Sequence, residues 1–187
     1  AVSRGALRLD LPELKVEFDP NGKPLAVRPR PHYDSHRLIE LFMVAANVAA
    51  ARTLESRGQP CLYRVHDQPA SEKVMELRDL FAEFGLGLGK KRTVSPGDFN
   101  RVLERAKGSP VERLVHETVL RAQAQAIYSP RNIGHFGLAL GRYAHFTSPI
   151  RRYADLAVHR ALITALDMGQ DSLSPEDMAR MGDNAQL

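Results

Sequence analysis

A chain of 187 residues, 43% hydrophobic and 26% charged, is long enough to bury one core. Its single cysteine excludes a disulfide scaffold and fits a reducing compartment; no stretch approaches the eighteen apolar residues of a membrane span and no signal segment is evident, so the expectation is a cytoplasmic module without membrane contact. A formal net charge of +4 favours polyanions only mildly, so the placement of the charges matters more than their sum.

Residues 14–18 and 25–28 alternate apolar and polar around Pro20-Asn21-Gly22, which predicts a β-hairpin. From Asp34 or Ser35 to about Arg57 the apolar positions Leu38, Phe42, Ala45, Ala46, Ala49 and Leu54 trace a helical stripe that Gly58 and Pro60 end. Cys61–His66 reads as extended, with Arg64 and His66 facing away from Tyr63 and Val65. A pure core strand would not choose arginine and histidine, so both are candidates for a substrate channel or for supporting a motif. Cys61 itself reads as a small buried apolar residue. Helices follow near 71–84, 96–107, 110–126 and 149–168, with a short one from about 175, while Gly134–His145 suits strands or a loop framing the last long helix. His116 lies in a plain amphipathic helix and reads as structural. The fold class is therefore α+β and predominantly helical, with an N-terminal hairpin and no repeat or second domain.

Four Ser-Pro pairs read as helix starts. Ser95, Ser109 and Ser174 precede a proline and, three residues on, an acid: Asp98, Glu112 and Asp177. Serine caps amides, proline loses an amide that had no partner, and the acid offsets the helix dipole. Ser148-Pro149-Ile150-Arg151-Arg152 puts Arg151 where the acid belongs. The substitution predicts an anion at a helix beginning at Pro149, a phosphate held by Thr147 and Ser148 and forked by arginine. The competing reading is a surface ion pair with Asp155. Arg142, Tyr143, His145, Phe146 and Tyr153 add cations and rings, the mixture that holds the backbone and bases of single-stranded nucleic acid. His159 continues the ridge of Arg151 and Asp155 and is expected to orient it by hydrogen bonding.

The blocks His135–Leu140 and Tyr143–Leu156 with His159-Arg160 resemble the most recognisable part of the RNB catalytic domain of the ribonuclease II and ribonuclease R exoribonucleases, closer to the ribonuclease R pattern. Gly5–Leu7 with Leu11–Glu13, His36–Glu40 with Ala46-Asn47, and Leu62–His66 with Pro69 agree in order, over about residues 3–168. The resemblance implies hydrolysis of single-stranded RNA one nucleotide at a time from the 3′ end, releasing nucleoside monophosphates. It also implies magnesium held by an aspartate cluster in the first half of the domain. Here Asp10, Asp19, Asp34, Asp67, Asp79 and Asp98 are scattered, and the one cysteine makes no CxxC, so no metal ligands are assigned in this chain. The expectation is the C-terminal portion of the domain over 1–187, inert alone, partnered by a missing N-terminal half. By position in the motif, Arg151 matches the arginine at the scissile phosphate; Thr147, Ser148, Arg152 and Tyr153, with Tyr143 and His145, would hold RNA. Glu40 matches a glutamate implied to contact ribose hydroxyls, although Leu41 stands where the family has a second glutamate. The alternative is a non-catalytic RNA-binding or regulatory module that keeps the phosphate cradle.

Overall fold

The computed structural model describes residues 4–9, 11, 13–89, 93–169 and 174–184. Strands β1 (Leu14–Phe18) and β2 (Pro24–Pro29) pair antiparallel with Val16 opposite Val27. Their turn is tied by the Asp19 carboxylate, which accepts from the amides of Asn21 and Lys23 at 2.8 Å each, and Gly22 supplies the left-handed backbone at φ 81°.

Helix α1 (Asp34–Ser56) has the expected span but buries a different face. Asn47, Ala50, Ala51 and Leu54 are inside, whereas Leu38 and Phe42 of the expected stripe are 54% and 64% exposed and Ala45 and Ala49 face solvent. The helix is apolar on more than one face, so periodicity alone could not choose the buried one. Strand β3 (Tyr63–Val65) follows, then α2 (Ser71–Glu83), α3 (Pro96–Ala106) and α4 (Glu112–Ala122).

Two clusters form the interior. In the first, small residues of α1 (Ala50, Ala51) meet Ala154, Ala157 and Ala161 of α5 (Tyr153–Ala165), so the two helices pack closely. Leu62, Val65 and Tyr128 fill one side, and Met178 and Met181 of α6 (Pro175–Asn184) close it. The second cluster joins α2, α3 and α4 around Phe81, Phe99, Val102, Val115 and Val119. His116 is buried in α4, consistent with a structural place. Cys61 is buried, and burial together with the Glu55 charge pushes its thiol up to about 12, which leaves it inert.

Three boundaries differ from expectation. Ser95 and Ser174 cap α3 and α6 through Asp98 and Asp177 as read. Ser109 does not: its hydroxyl donates to the Ala106 carbonyl at 2.6 Å, and α4 starts three residues later after Val111. The helix expected to reach residue 126 stops at Ala122, because Ile127–Ser129 form β4, paired antiparallel with β3. The last long helix begins at Tyr153 rather than Pro149, and Asp155 is the acid in its first turn.

Candidate nucleic-acid interface

The segment Gly134–Arg152 runs along β3 and feeds α5. Ala144 bridges Tyr63, and the Tyr143 carbonyl accepts from the Arg64 amide at 2.9 Å, so the segment extends the small sheet without being a full strand. His66, nearly buried, accepts from the Gly137 amide at Nδ1 over 3.0 Å and anchors the tip of the 134–141 loop. His66 therefore supports the motif from behind. Arg64 lays its guanidinium over the Tyr128 ring at 4.6 Å.

A chain of edge-to-face rings continues inward: His66, His135, Tyr143 and His145 sit at centroid separations of 5.0 to 5.6 Å, and Tyr128 joins His145 at 5.6 Å. Tyr128 Oη and His145 Nδ1 are 2.7 Å apart. Burial, with the Arg152 charge, pushes His145 down to about 4; burial, with His66 beside it, does the same to His135. Both are neutral at physiological pH, so their packing supplies shape and hydrogen bonds and no charge. Tyr143 is buried too, and its hydroxyl accepts from Asn47 Nδ2 at 3.0 Å.

Phe146 is held on every side. Its amide donates to Asn47 Oδ1 at 2.9 Å, its carbonyl lies 2.8 Å from His159 Nε2, and its ring stacks on that imidazole at 4.3 Å with 11° between planes. Thr147 and Ser148, half-buried, then lead into a turn in which the Ser148 carbonyl accepts from the amides of Arg151 and Arg152.

Here the two arginines part. Asp155, wholly buried, accepts from Arg152 Nε at 2.7 Å and Nη2 at 2.8 Å, and from the Ser148 amide at 2.8 Å. Burial alone would raise this carboxyl, but those bonds and the surrounding positive charge outweigh it and hold it below its ordinary range. Arg151 is exposed and its guanidinium has no ion-pair partner among the described residues; Ile150 is fully exposed and Tyr153 is 52% exposed beside it. The expected helix-end cradle at Pro149 is thus overturned: Ser148–Arg151 is a turn, Arg152 folds inward rather than sharing a cleft with Arg151, and the Asp155 partner is Arg152. The dipole's acid was never missing; it lies one turn later.

Glu40 stands apart, exposed on the uncovered half of α1, where it lines a cleft of about 720 Å³ with Glu13, Arg30, His32 and His36. His32 and His36 are four residues apart, yet among the described residues no three His, Cys, Asp or Glu side chains converge as a metal site. Likewise, no described helix is long and apolar enough to cross a membrane. The sequence reading takes Asn47 only as part of a family block and gives it no role, although an amide inside the run Ala45-Ala46-Asn47-Val48-Ala49 is a signal: buried amides need partners.

The RNB domain model matches residues 2–168. The chain belongs to the RNB domain family. Ribonuclease R of Aquifex aeolicus is 48% identical over 162 residues, which is 87% of this chain and 23% of that protein. The apo form of Mycoplasma genitalium RNase R superposes with a TM-score of 0.89 at 28% identity over 98% of this chain and 30% of that one. The same RNase R in complex with ribose methylated single-stranded RNA gives 0.86 at equal identity and coverage. This RNB chain spans about a quarter of the length of the curated relatives it matches.

Proposed function

We propose that the chain is the C-terminal portion of an RNB catalytic domain in a cytoplasmic 3′-to-5′ hydrolytic exoribonuclease that releases nucleoside monophosphates from single-stranded RNA. Arg151 is the residue that meets the scissile phosphate. The observation that carries this reading is the exposed guanidinium of Arg151 on a turn held by the buried side chains of Asp155 and, through Phe146, of Asn47. A preorganised donor of this kind stabilises charge developing on a phosphate oxygen without reorganising at the moment of reaction. Tyr153 and the exposed edge of Thr147 and Ser148 flank it as contacts to neighbouring nucleotides, while Tyr143, His145, Arg64 and His66 hold the frame. Arg152 is assigned to the frame as well, since Asp155 takes its fork.

The magnesium implied by the family would, in this reading, take its aspartate ligands from the other half of the domain. The exposed apolar faces of the hairpin (Leu14, Phe18, Leu25) and of α1 (Leu38, Ile39, Phe42) support a covering partner, namely the other half of the domain, because an isolated two-stranded hairpin is marginal in water. Arg151→Ala in the full-length protein tests the reading. Single-turnover release of mononucleotides should fall about a hundredfold or more while RNA affinity changes little; a rate within about threefold of the parent removes Arg151 from the chemistry. A protein that binds single-stranded RNA with steep salt dependence and releases no nucleotide would instead be the binding module.

A further inference from the structure

We infer that Asn47 and His159 are positioning residues that grip the Phe146 peptide from its two sides and thereby aim the turn carrying Arg151; neither meets RNA itself. The inference rests on the proposed role of Arg151.

Asn47 lies on α1 and His159 on α5, the two helices whose alanines pack together in the first core. Between them passes the backbone of one residue. Phe146 gives its amide hydrogen to Asn47 Oδ1 at 2.9 Å and receives a hydrogen bond at its carbonyl from His159 Nε2 at 2.8 Å. The donor at His159 must be Nε2–H, because a carbonyl can only accept. The second half of the Asn47 amide holds the Tyr143 hydroxyl at 3.0 Å, so one side chain, 3% exposed, fixes the segment at two points three residues apart. Those contacts cross 96 and 99 residues of chain, which makes them tertiary clamps rather than local turns. Downstream of the clamp only Thr147 stands before Ser148, whose amide and carbonyl define the turn through Asp155 and Arg151. A slackened Phe146 peptide therefore passes its displacement straight to Arg151, and misplacement by about 1 Å is enough to cost on the order of a hundredfold when a donor must meet a transition state.

The test uses the full-length protein and a double-mutant cycle. Asn47→Ala should lower the single-turnover rate by about tenfold or more with RNA affinity held within about threefold, and His159→Phe, which keeps the stacked ring and removes only the Nε2 donor, should act in the same direction. In an Arg151→Ala background both effects should shrink to within about threefold, because the residue they aim is gone. If the losses instead multiply with that of Arg151→Ala, or if affinity falls in step with rate, the positioning role is overturned while the catalytic arginine stands. If Arg151→Ala alone leaves the rate unchanged, the arginine assignment fails and the positioning inference fails with it. Should Asn47→Ala not fold, His159→Phe carries the same cycle.

Discussion

Replacing Arg152 and Arg151 in turn should separate stability from chemistry at two adjacent positions of like charge. Arg152→Ala strands the Asp155 carboxylate, which is wholly buried and would keep only the Ser148 amide. Removing one partner of a buried pair costs about 3–5 kcal/mol. The Arg152 side chain is 27% exposed, so water can enter the vacated space and the expected loss is about 2–4 kcal/mol. Arg151→Ala removes an exposed side chain and should stay within about 0.5 kcal/mol. The penalty also depends on pH. In the parent, the depressed pKa of Asp155 gives stability that is fully present above the ordinary carboxylate range and fades as pH falls through the folded value. Without Arg152 the buried carboxyl takes up a proton more readily, so the gap between variant and parent should be widest near neutrality and should close in acid. Native-state hydrogen exchange of the α5 amides in the full-length protein, corrected for intrinsic rates, reads the opening free energy for each variant. A change below about 1 kcal/mol for Arg152→Ala at neutral pH, or a gap that persists in acid, would refute the buried-pair assignment.

Acid should also loosen the ring chain. His135 and His145 are held near 4, below the ordinary histidine value, so their neutral forms contribute stability above about pH 6.5 that is lost as pH falls towards 4, on the order of 1–3 kcal/mol each. Exchange protection of the peptide spanning Tyr128 to Phe146 should fall across that window, and flat protection would contradict buried neutral imidazoles. Gly137→Ala would place a Cβ 2.9 Å from His66 Nδ1 and 3.1 Å from its Cε1, against a ring already committed to the Gly137 amide, and should cost about 1–3 kcal/mol in a denaturation experiment. A variant within about 0.5 kcal/mol of the parent would show that the 134–141 loop moves freely over His66.

Much of the fold is legible where its causes are local. The hairpin follows from alternation and a Pro-Asn-Gly turn, and α1 from an apolar helix bounded by Asp34 and Gly58. The buried face of α1 is not legible, since which of several apolar faces is buried is decided by what packs on the helix, and α5 presents alanines to Ala50 and Ala51. Strand β4 escapes notice because three residues carry no period and its pairing to β3 is made across more than sixty residues. The candidate site divides in the same way. The Thr147–Tyr153 segment stands out by composition, yet Asn47, which supports it from 99 residues away, acquires its meaning only once folded, as does the contact of Tyr128 with His145.

The start of α5 shows how a local rule misleads when two candidate starts lie four residues apart. Ser148 with Pro149 satisfies a helix opening except for the acid three positions on; Arg152 lacks a capping side chain but has that acid, Asp155, in place. Charge decides between them. A helix beginning at Pro149 would set Arg151 against the positive end of the dipole, whereas beginning at Tyr153 puts a carboxylate there and lets it reach back to the Ser148 amide as well. The same choice sets the fates of the arginines. Arg152 precedes Asp155 by three residues, the spacing at which side chains meet across one turn, so its fork is drawn inward. Arg151, one residue earlier and inside the turn, is rotated away and stays exposed. The double arginine is therefore not a doubled charge: the inner residue closes the turn that presents the outer one, and exchanging their roles would require moving the helix start.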